Sequence, residues 1–220
     1  MGDCIDSVLS QSYQDIEYVV IDGASIDGTL DLLLAYQSQL SVLVSEPDAG
    51  IYDAINKGIA HSSGEVIGFL HADDMFYSDD ILQKVASVFE SDDSISAVYG
   101  DLVYVKRSMP DRIVRTWCSS SFSPHLLKQG WMPPHPTLYV RREWYERIGG
   151  FDKHYRIAAD YLSILQLFSK PNFKAVYLPE VMIKMRLGGA SNRSLDAIVQ
   201  KSSEDWSALR RSGFGVFDSI

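Results

Sequence analysis

The first hundred residues alternate between two hydrophobic patterns. Short apolar runs rich in β-branched residues predict buried strands, and apolar residues spaced three and four apart predict helices. The predicted strands are Glu17–Ile21, Ser41–Ser45, Val66–Leu70 and Ser96–Gly100. The predicted helices are Asp3–Ser12, Leu30–Gln39, Ile51–His61 and Asp79–Glu90. This alternation is typical of an α/β fold, in which helices cover a mostly parallel sheet.

Three polar loops follow predicted strands, at Asp22–Thr29, Pro47–Gly50 and His71–Asp74. Parallel sheets bind ligands at the carboxyl ends of their strands, so we expect these loops to gather at one edge of the sheet. The chain opens on a predicted helix, whereas a doubly wound sheet normally begins with a strand. We therefore expect a sheet without its usual first strand.

The alternation is less regular beyond about residue 101. The pattern of Asp101–Arg115 predicts a hairpin. The apolar residues of Trp117–Pro136 show no clear helical or strand period, so no element is predicted there. The remaining predicted strands are Thr137–Val140 and Ala175–Leu178, and the remaining predicted helices are Arg141–Ile148, Ala159–Ser169 and Leu195–Arg211.

Composition narrows the classes of protein. The 220 residues are 46% hydrophobic and 22% charged, with a net charge of −9, which is typical of a globular domain and disfavours nucleic-acid binding through bulk charge. The two cysteines, Cys4 and Cys118, form neither a disulfide framework nor a metal motif. No apolar run reaches the roughly 18 residues of a membrane span, and no signal-peptide pattern is present. We expect a cytoplasmic protein that can also act at the inner face of the membrane.

Three segments carry a resemblance to a known family: VVIDGASIDGT, DAGIYDAINKGIAHSSGEVIGFLHADD and AADYLSILQL. In this order they resemble the inverting family 2 glycosyltransferases of the GT-A fold, above all bacterial enzymes that build cell-surface polysaccharides. The resemblance runs from about Asp3 to Asn192. It implies transfer of a sugar from a nucleotide-sugar donor to a hydroxyl acceptor, either a saccharide or a lipid-linked saccharide.

The resemblance also implies a donor site. The loop from Asp22 to Ser25 matches the family's base-recognition loop, with Gly23 where many members have a second aspartate. His71-Ala72-Asp73 matches the family's Asp-x-Asp triplet, with histidine in place of the first aspartate. The segment that contains Asp48, Gly50 and Asp53 lies near the nucleotide in the family.

Asp73 and its neighbour Asp74 are the candidate metal ligands. Their carboxylate oxygens suit Mg²⁺ or Mn²⁺, which neutralises a diphosphate leaving group. The competing interpretation is that both carboxylates only cap the following turn and helix.

Asp160 matches the family's catalytic base, which deprotonates the acceptor hydroxyl. The competing interpretation is an N-cap of the Ala159–Ser169 helix, a role that aspartate fills well.

Two further segments have open roles. Arg186 precedes Gly188, Gly189 and Ser191, so it is either a charge partner of the diphosphate in a closing loop or part of a linker. His135 either binds an acceptor hydroxyl or is only a histidine of a stiff, proline-rich loop.

The sequence thus predicts a donor-binding half at residues 1–100, an acceptor-binding and catalytic half at residues 101–192, and a C-terminal helix and tail at residues 193–220. The leading hypothesis is a metal-dependent inverting glycosyltransferase. The alternative is a non-catalytic or truncated nucleotide-sugar-binding protein.

Overall fold

The computed structural model describes residues 1–188 and 195–214. In chain order, its α-helices are α1 (Gly2–Leu9), α2 (Thr29–Ala35), α3 (Ile51–His61), α4 (Ile81–Ser91), α5 (Arg142–Ile148), α6 (Ala159–Phe168) and α7 (Leu195–Arg211). Its strands are β1 (Val19–Asp22), β2 (Val42–Ser45), β3 (Val66–Ile67), β4 (Met75–Phe76), β5 (Ala97–Lys106), β6 (Met109–Trp117), β7 (Tyr139–Arg141) and β8 (Ala175–Arg186). Every predicted helix has a counterpart, and α3 and α7 have the predicted bounds.

The prediction of a mostly parallel sheet is wrong, because the main sheet is mixed. Its strands lie in the order β3, β7, β5, β8, β4, with β6 also paired to β5. Only the pair of β5 and β8 is parallel among the described strands of this sheet. The physical reason is connectivity, since β5 and β6 form the predicted hairpin and a tight hairpin can join only antiparallel strands.

The strands β1 and β2 form a separate two-stranded parallel sheet, in the register Val19 with Val42 through Asp22 with Ser45. The prediction that one sheet contains all the early strands is therefore also wrong. The predicted strand Val66–Leu70 is shorter than expected, because its pairing with β7 covers only Val66 and Ile67. The short strand β4 was not predicted, and β8 continues eight residues beyond Leu178 to Arg186.

Two hydrophobic clusters lie on opposite faces of β5, because successive side chains of a strand point to opposite faces. Ala97 and Tyr99 belong to the cluster around α6, and Val98 and Leu102 belong to the cluster around α4. The helix α6 is apolar around most of its circumference, which is typical of a helix enclosed by protein. The site residues described below therefore stand on a rigid layer.

In the part of the chain that the structure describes, no helix combines the length and the apolar character needed to cross a membrane. Both cysteines are free thiols.

Candidate functional site

Asp22 ends β1 as a buried carboxylate with fixed partners. Its Oδ2 accepts hydrogen bonds from the Ser25 backbone N–H at 3.0 Å and from the Ser45 hydroxyl at 2.7 Å. Burial raises the pKa of Asp22, but the hydrogen bonds from Ser25 and Ser45 outweigh it and hold the pKa below its usual range. Asp22 is therefore an ionised acceptor that joins the loops after β1 and β2.

Gly23 lies directly against Asp48, a residue of the next polar loop. A Cβ atom at position 23 would be 2.4 Å from Oδ2 of Asp48, so a larger residue there would push the Asp48 carboxylate aside. Asp48 in turn accepts a hydrogen bond from the Gly50 N–H at 2.8 Å, and Gly50 has a φ of 117°, a conformation open to glycine. Through this contact the two loops form one surface.

Asp53 is already occupied by partners within the chain. Its Oδ2 accepts from the Ala49 N–H at 3.1 Å, and its Oδ1 lies 3.0 Å from the Lys153 ammonium group. The hydrogen bonds from Lys153 and Ala49 hold the pKa of Asp53 below its usual range. These contacts brace the start of α3, which is a structural role that the sequence did not indicate.

Asp74 is the more buried of the two adjacent carboxylates after β3. Its Oδ1 accepts from the Arg186 backbone N–H at 3.3 Å, while its Oδ2 is buried and has no partner among the described residues. Burial raises the pKa of Asp74 to about 7, and the nearby Asp73 acts in the same direction. An unpaired buried carboxylate oxygen is costly unless a proton or a cation compensates it.

Asp73 reaches the turn of the β5–β6 hairpin. It forms a bidentate ion pair with Arg107, whose guanidinium group is about half exposed. Exposed ion pairs contribute only about 0–1 kcal/mol, so a competing cation can displace Arg107 at little cost. The sequence analysis did not identify Arg107, and no local pattern marks a turn residue as the partner of a distant carboxylate.

Arg186 ends β8 beside the amino end of α1. Its guanidinium group is nearly buried and pairs with Asp3, while its Nε has no partner among the described residues. The guanidinium group thus lies near Asp74, whose Oδ1 the Arg186 backbone contacts. The predicted loop positions Gly189 and Ser191 lie outside the described residues.

Asp160 occupies the first turn of α6, where its Oδ1 accepts from the Tyr161 N–H at 2.8 Å. The Tyr52 hydroxyl lies 3.1 Å from the same oxygen and 2.6 Å from the Ile157 carbonyl oxygen, so its proton is shared between them. Burial raises the pKa of Asp160, and the Tyr161 and Tyr52 hydrogen bonds reduce that rise. Tyr52 therefore connects α3, which follows the Asp48 loop, to the candidate base.

The N-cap interpretation of Asp160 is not supported, because the N-cap of α6 is Ala158. Glu204, on α7, holds the backbone that leads into α6. Its Oε2 accepts from the Ile157 N–H at 2.8 Å and from the Ala158 N–H at 2.9 Å. Asp160 accepts from the first-turn N–H of Tyr161, while Glu204 was not found from the sequence because it lies 44 positions from Asp160.

His71 and His135 face each other, with ring centroids 6.2 Å apart. Burial lowers the pKa of each imidazole to about 4, so both are neutral near pH 7. The Nε2 of His135 is buried without a hydrogen-bond partner among the described residues. His71 also lies close enough to Asp160 to interact with its charge. The pair offers ring nitrogens that a hydroxyl-rich ligand can satisfy.

The described residues contain no group of three or more His, Cys, Asp or Glu side chains arranged to hold a metal ion. The orphan oxygen of Asp74 and the displaceable Asp73 nevertheless fit an ion that takes only one or two carboxylates and completes its shell with substrate phosphates and water, as Mg²⁺ commonly does. An all-protein metal cage is not supported.

Residues 1–158 match the model of the family "Glycosyl transferase family 2". The chain belongs to glycosyl transferase family 2. This family 2 chain is 30% identical over 197 residues to a PGL/p-HBAD biosynthesis glycosyltransferase of Mycobacterium bovis, an alignment that covers 88% of this chain and 74% of that protein. It is 29% identical over 210 residues to an uncharacterized glycosyltransferase of Nostoc sp., covering 91% of this chain and 64% of that protein.

Solved structures share the fold of this family 2 chain. S. aureus TarS 1-349 in complex with UDP-GlcNAc superimposes with a TM-score of 0.73 at 16% identity, covering 96% of this chain and 61% of that chain. A mannosyltransferase from Pyrobaculum calidifontis in complex with GDP-Man and Mn²⁺ superimposes with a TM-score of 0.67 at 20% identity. The superposition covers 96% of this chain and 59% of that chain. The chain thus spans about three-fifths of these structures, and the likeness establishes the α/β fold.

Proposed function

We propose that this chain transfers a sugar from a nucleotide-sugar to an acceptor hydroxyl, with inversion at the anomeric carbon. The observation that carries the proposal is Asp160, whose pKa is raised by burial and whose Oδ1 lies 3.1 Å from the Tyr52 hydroxyl in the first turn of the donor-side helix α3. Membership of glycosyl transferase family 2 supports the reaction class.

Asp160 acts as the general base. A base is most effective when its pKa lies near the working pH, and burial moves Asp160 in that direction from its ordinary acidic value. It takes the proton of the acceptor hydroxyl while the oxygen attacks the anomeric carbon, and the nucleoside diphosphate leaves from the opposite side. Inversion needs only this one base. Tyr52 holds the carboxylate in position.

The donor lies across the loops after β1, β2 and β3. The ionised Asp22 accepts hydrogen bonds from the nucleobase, Ser25 orients that carboxylate, and the surface formed by Asp48 and Gly50 holds the nucleoside. Asp53 supports this surface by bracing α3. We assign most of the donor site to residues 1–100 and most of the acceptor site to residues 101–192, with Arg186 and His71 as the residues that cross this division.

The diphosphate lies beside His71, Ala72, Asp73 and Asp74. A bound Mn²⁺ or Mg²⁺ there neutralises the charge that develops on the leaving group. Asp73 and the unpaired oxygen of Asp74 would hold it, and Arg186 adds a fixed positive charge. The mannosyltransferase structure, which contains Mn²⁺, supports this assignment.

The acceptor approaches past His135 and His71, which are neutral and can bind its hydroxyl groups. The name of the mycobacterial relative, PGL/p-HBAD biosynthesis glycosyltransferase, supports a role in cell-surface glycoconjugate biosynthesis. We propose a saccharide or lipid-linked saccharide acceptor, met by the protein at the inner face of the membrane.

One observation favours the alternative, a nucleotide-sugar-binding protein without turnover. Arg107 forms an ion pair with Asp73, which is one of the two candidate metal ligands. If the alternative is correct, the nucleotide-sugar binds without a metal. Arg107→Ala then weakens nucleotide-sugar binding and does not give rise to sugar transfer. The matched control is Arg112→Ala, because Arg112 is an exposed arginine of the same hairpin.

The test measures donor binding and donor turnover separately. UDP- and GDP-sugars are screened by thermal shift with and without Mn²⁺, and the stabilising donor is then assayed for transfer to a sugar acceptor and for hydrolysis. We expect Asp160→Asn to retain donor-induced stabilisation and to lose at least about 100-fold in transfer. We expect Asp73→Asn to lose the Mn²⁺ response. Transfer at the wild-type rate by Asp160→Asn would show that the base is assigned incorrectly.

A further inference from the structure

The turn of the β5–β6 hairpin contacts one of the two adjacent carboxyl groups after β3. Lys106 and Met109 pair across the hairpin, so Arg107 is one of the two turn residues between them. Its guanidinium group donates two hydrogen bonds to the carboxylate of Asp73, 34 positions earlier in the chain. The side chains of Arg107 and Asp73 are 55% and 42% exposed. A solvent-accessible arginine is thus the partner of a candidate metal ligand.

The end of β8 positions this turn beside both carboxyl groups. Val105, two residues before Arg107, pairs with Arg186 of β8. The backbone N–H of Arg186 donates to Oδ1 of Asp74 at 3.3 Å, while Oδ2 of Asp74 is buried without a partner among the described residues. Two arginines and two adjacent carboxyl groups therefore meet at the end of β8, in the part of the site assigned above to the donor diphosphate.

Both members of the Arg107–Asp73 pair can exchange partners at little cost. Water screens an exposed ion pair, so this pair contributes little to stability. A guanidinium group presents parallel N–H donors that fit phosphate oxygens as well as they fit a carboxylate. Carboxylate oxygens are in turn ligands that Mg²⁺ and Mn²⁺ prefer. A divalent cation and a diphosphate that arrive together therefore offer each side chain a more highly charged partner.

We propose that Arg107 is a diphosphate-binding residue that couples the binding of the donor to the binding of the metal. In the ligand-free protein, Arg107 pairs with Asp73. When Mn²⁺ and a nucleoside diphosphate are bound, Asp73 holds the ion and the Arg107 guanidinium group binds diphosphate oxygens. The inference rests on the proposed sugar transfer, because it assigns a further residue to the donor site of that reaction.

The charges explain why each ligand alone binds less well than the two together. Mn²⁺ alone has to displace the guanidinium group of Arg107 and then lies near its positive charge. A diphosphate alone meets an arginine that is already paired, next to the negative charge of Asp73. When both ligands bind, the two side chains separate and each gains a partner of opposite charge. By linkage, each ligand then raises the affinity of the protein for the other by the same factor.

The test measures binding without turnover. Mn²⁺ dissociation constants are measured by electron paramagnetic resonance with and without saturating UDP or GDP, and nucleotide affinities are measured with and without Mn²⁺. We expect Arg107→Ala to bind Mn²⁺ alone about two- to fivefold more tightly, because Asp73 has lost its competing partner. We expect the same variant to bind the nucleoside diphosphate at least about tenfold more weakly when Mn²⁺ is present. The two effects have opposite signs, and together they reduce the coupling between the ligands.

Two control variants separate the contact from the charge. Arg112→Ala removes an exposed arginine of the same hairpin and changes the net charge equally, so we expect it to leave both affinities within about twofold of the wild type. Arg107→Lys keeps the positive charge but not the planar fork of donors. We expect it to restore the weaker Mn²⁺ binding of the wild type and only part of the diphosphate affinity.

Four results would overturn the proposal. Equal effects of Arg107→Ala and Arg112→Ala would mean that only net charge matters. Tighter binding of both ligands by Arg107→Ala would make Arg107 a competitor of the metal and not a ligand of the diphosphate. Nucleotide binding weakened equally with and without Mn²⁺ would contradict the exchange of partners. Unchanged coupling in Arg107→Ala, beside a wild type that transfers sugar, would remove this role and leave the proposed function intact.

The failure of the proposed function has a different signature. If the wild type binds neither UDP nor GDP, with or without Mn²⁺, the donor site itself is assigned incorrectly and the role of Arg107 falls with it.

Discussion

The Tyr52 hydroxyl lies 3.1 Å from Oδ1 of Asp160, across 108 positions of sequence. It links α3, on the donor side, to the first turn of α6. Among the described residues, the other hydrogen bond to the Asp160 carboxylate comes from the N–H of its neighbour Tyr161. The position and the pKa of the candidate base therefore depend on a residue whose role the sequence did not indicate, although it lies between Asp48 and Asp53.

We expect Tyr52→Phe to move the acidic limb of the pH–kcat/KM profile to higher pH. The Tyr52 hydrogen bond lowers the pKa of Asp160, so removing it raises that pKa, and more alkaline solution is needed to ionise the base. Pre-steady-state or steady-state rates between pH 5 and 9 measure the shift. Tyr155→Phe is the control, because its hydroxyl contacts Ser207 instead. An unshifted limb with a uniformly lower rate would indicate only a structural role for Tyr52.

Gly23→Ala is expected to weaken nucleotide binding and stability together. The new methyl group would lie 2.4 Å from Oδ2 of Asp48, so the carboxylate must move, and losing its hydrogen bond from the Gly50 N–H costs about 0.5–1.5 kcal/mol. Thermal unfolding and nucleotide titration measure the two effects. The matched control is Gly2→Ala, where a Cβ atom meets no heavy atom within 4 Å. Unchanged nucleotide affinity in Gly23→Ala would separate this loop from the donor site.

The free energy of unfolding is expected to fall as pH rises from about 4 to about 7, in part through Asp74. Its pKa is raised to about 7 in the folded protein, so the folded state binds the proton more tightly than the unfolded state does. The stabilisation from protonated Asp74 is complete when the pH lies below the pKa of Asp74 in the unfolded chain. It is lost as the pH rises through the pKa of Asp74 in the folded protein, about 7. Urea unfolding at pH 5 and pH 8 measures the difference.

Asp74→Asn should remove this part of the pH dependence, while Asp31→Asn, at an exposed helix position, should not. Mn²⁺ together with a nucleotide-sugar should also reduce it, because a cation favours the ionised carboxylate. A pH dependence in Asp74→Asn equal to that of the wild type would contradict the assignment.

Glu204→Ala is expected to destabilise the start of α6. It leaves the N–H groups of Ile157 and Ala158 without their acceptor, at a cost of about 1–3 kcal/mol. Amide exchange at these residues and Tm measure the loss, and transfer should fall with it because Asp160 follows directly. Glu90→Ala is the control, at an exposed helix position. Full transfer activity in Glu204→Ala would show that Asp160 is positioned independently of α7.

Local patterns predicted the helices well, because apolar spacing is a property of each segment by itself. The predicted strand Val66–Leu70 was longer than the observed strand β3. A strand exists only where a neighbouring strand pairs with it, and β7 pairs only with Val66 and Ile67 of this segment. The mixed character of the sheet was missed for the same reason, as pairing direction depends on how distant strands meet.

By itself, the sequence determined the α/β class, the helices, the family and the positions of Asp22, Asp73 and Asp160, because motifs and periodicity are written along the chain. Only the tertiary structure decided which groups surround them. Each of these neighbours comes from a distant segment of the chain. They are Arg107 beside Asp73, Arg186 beside Asp74, Tyr52 beside Asp160, and the Asp48 carboxylate beside Gly23.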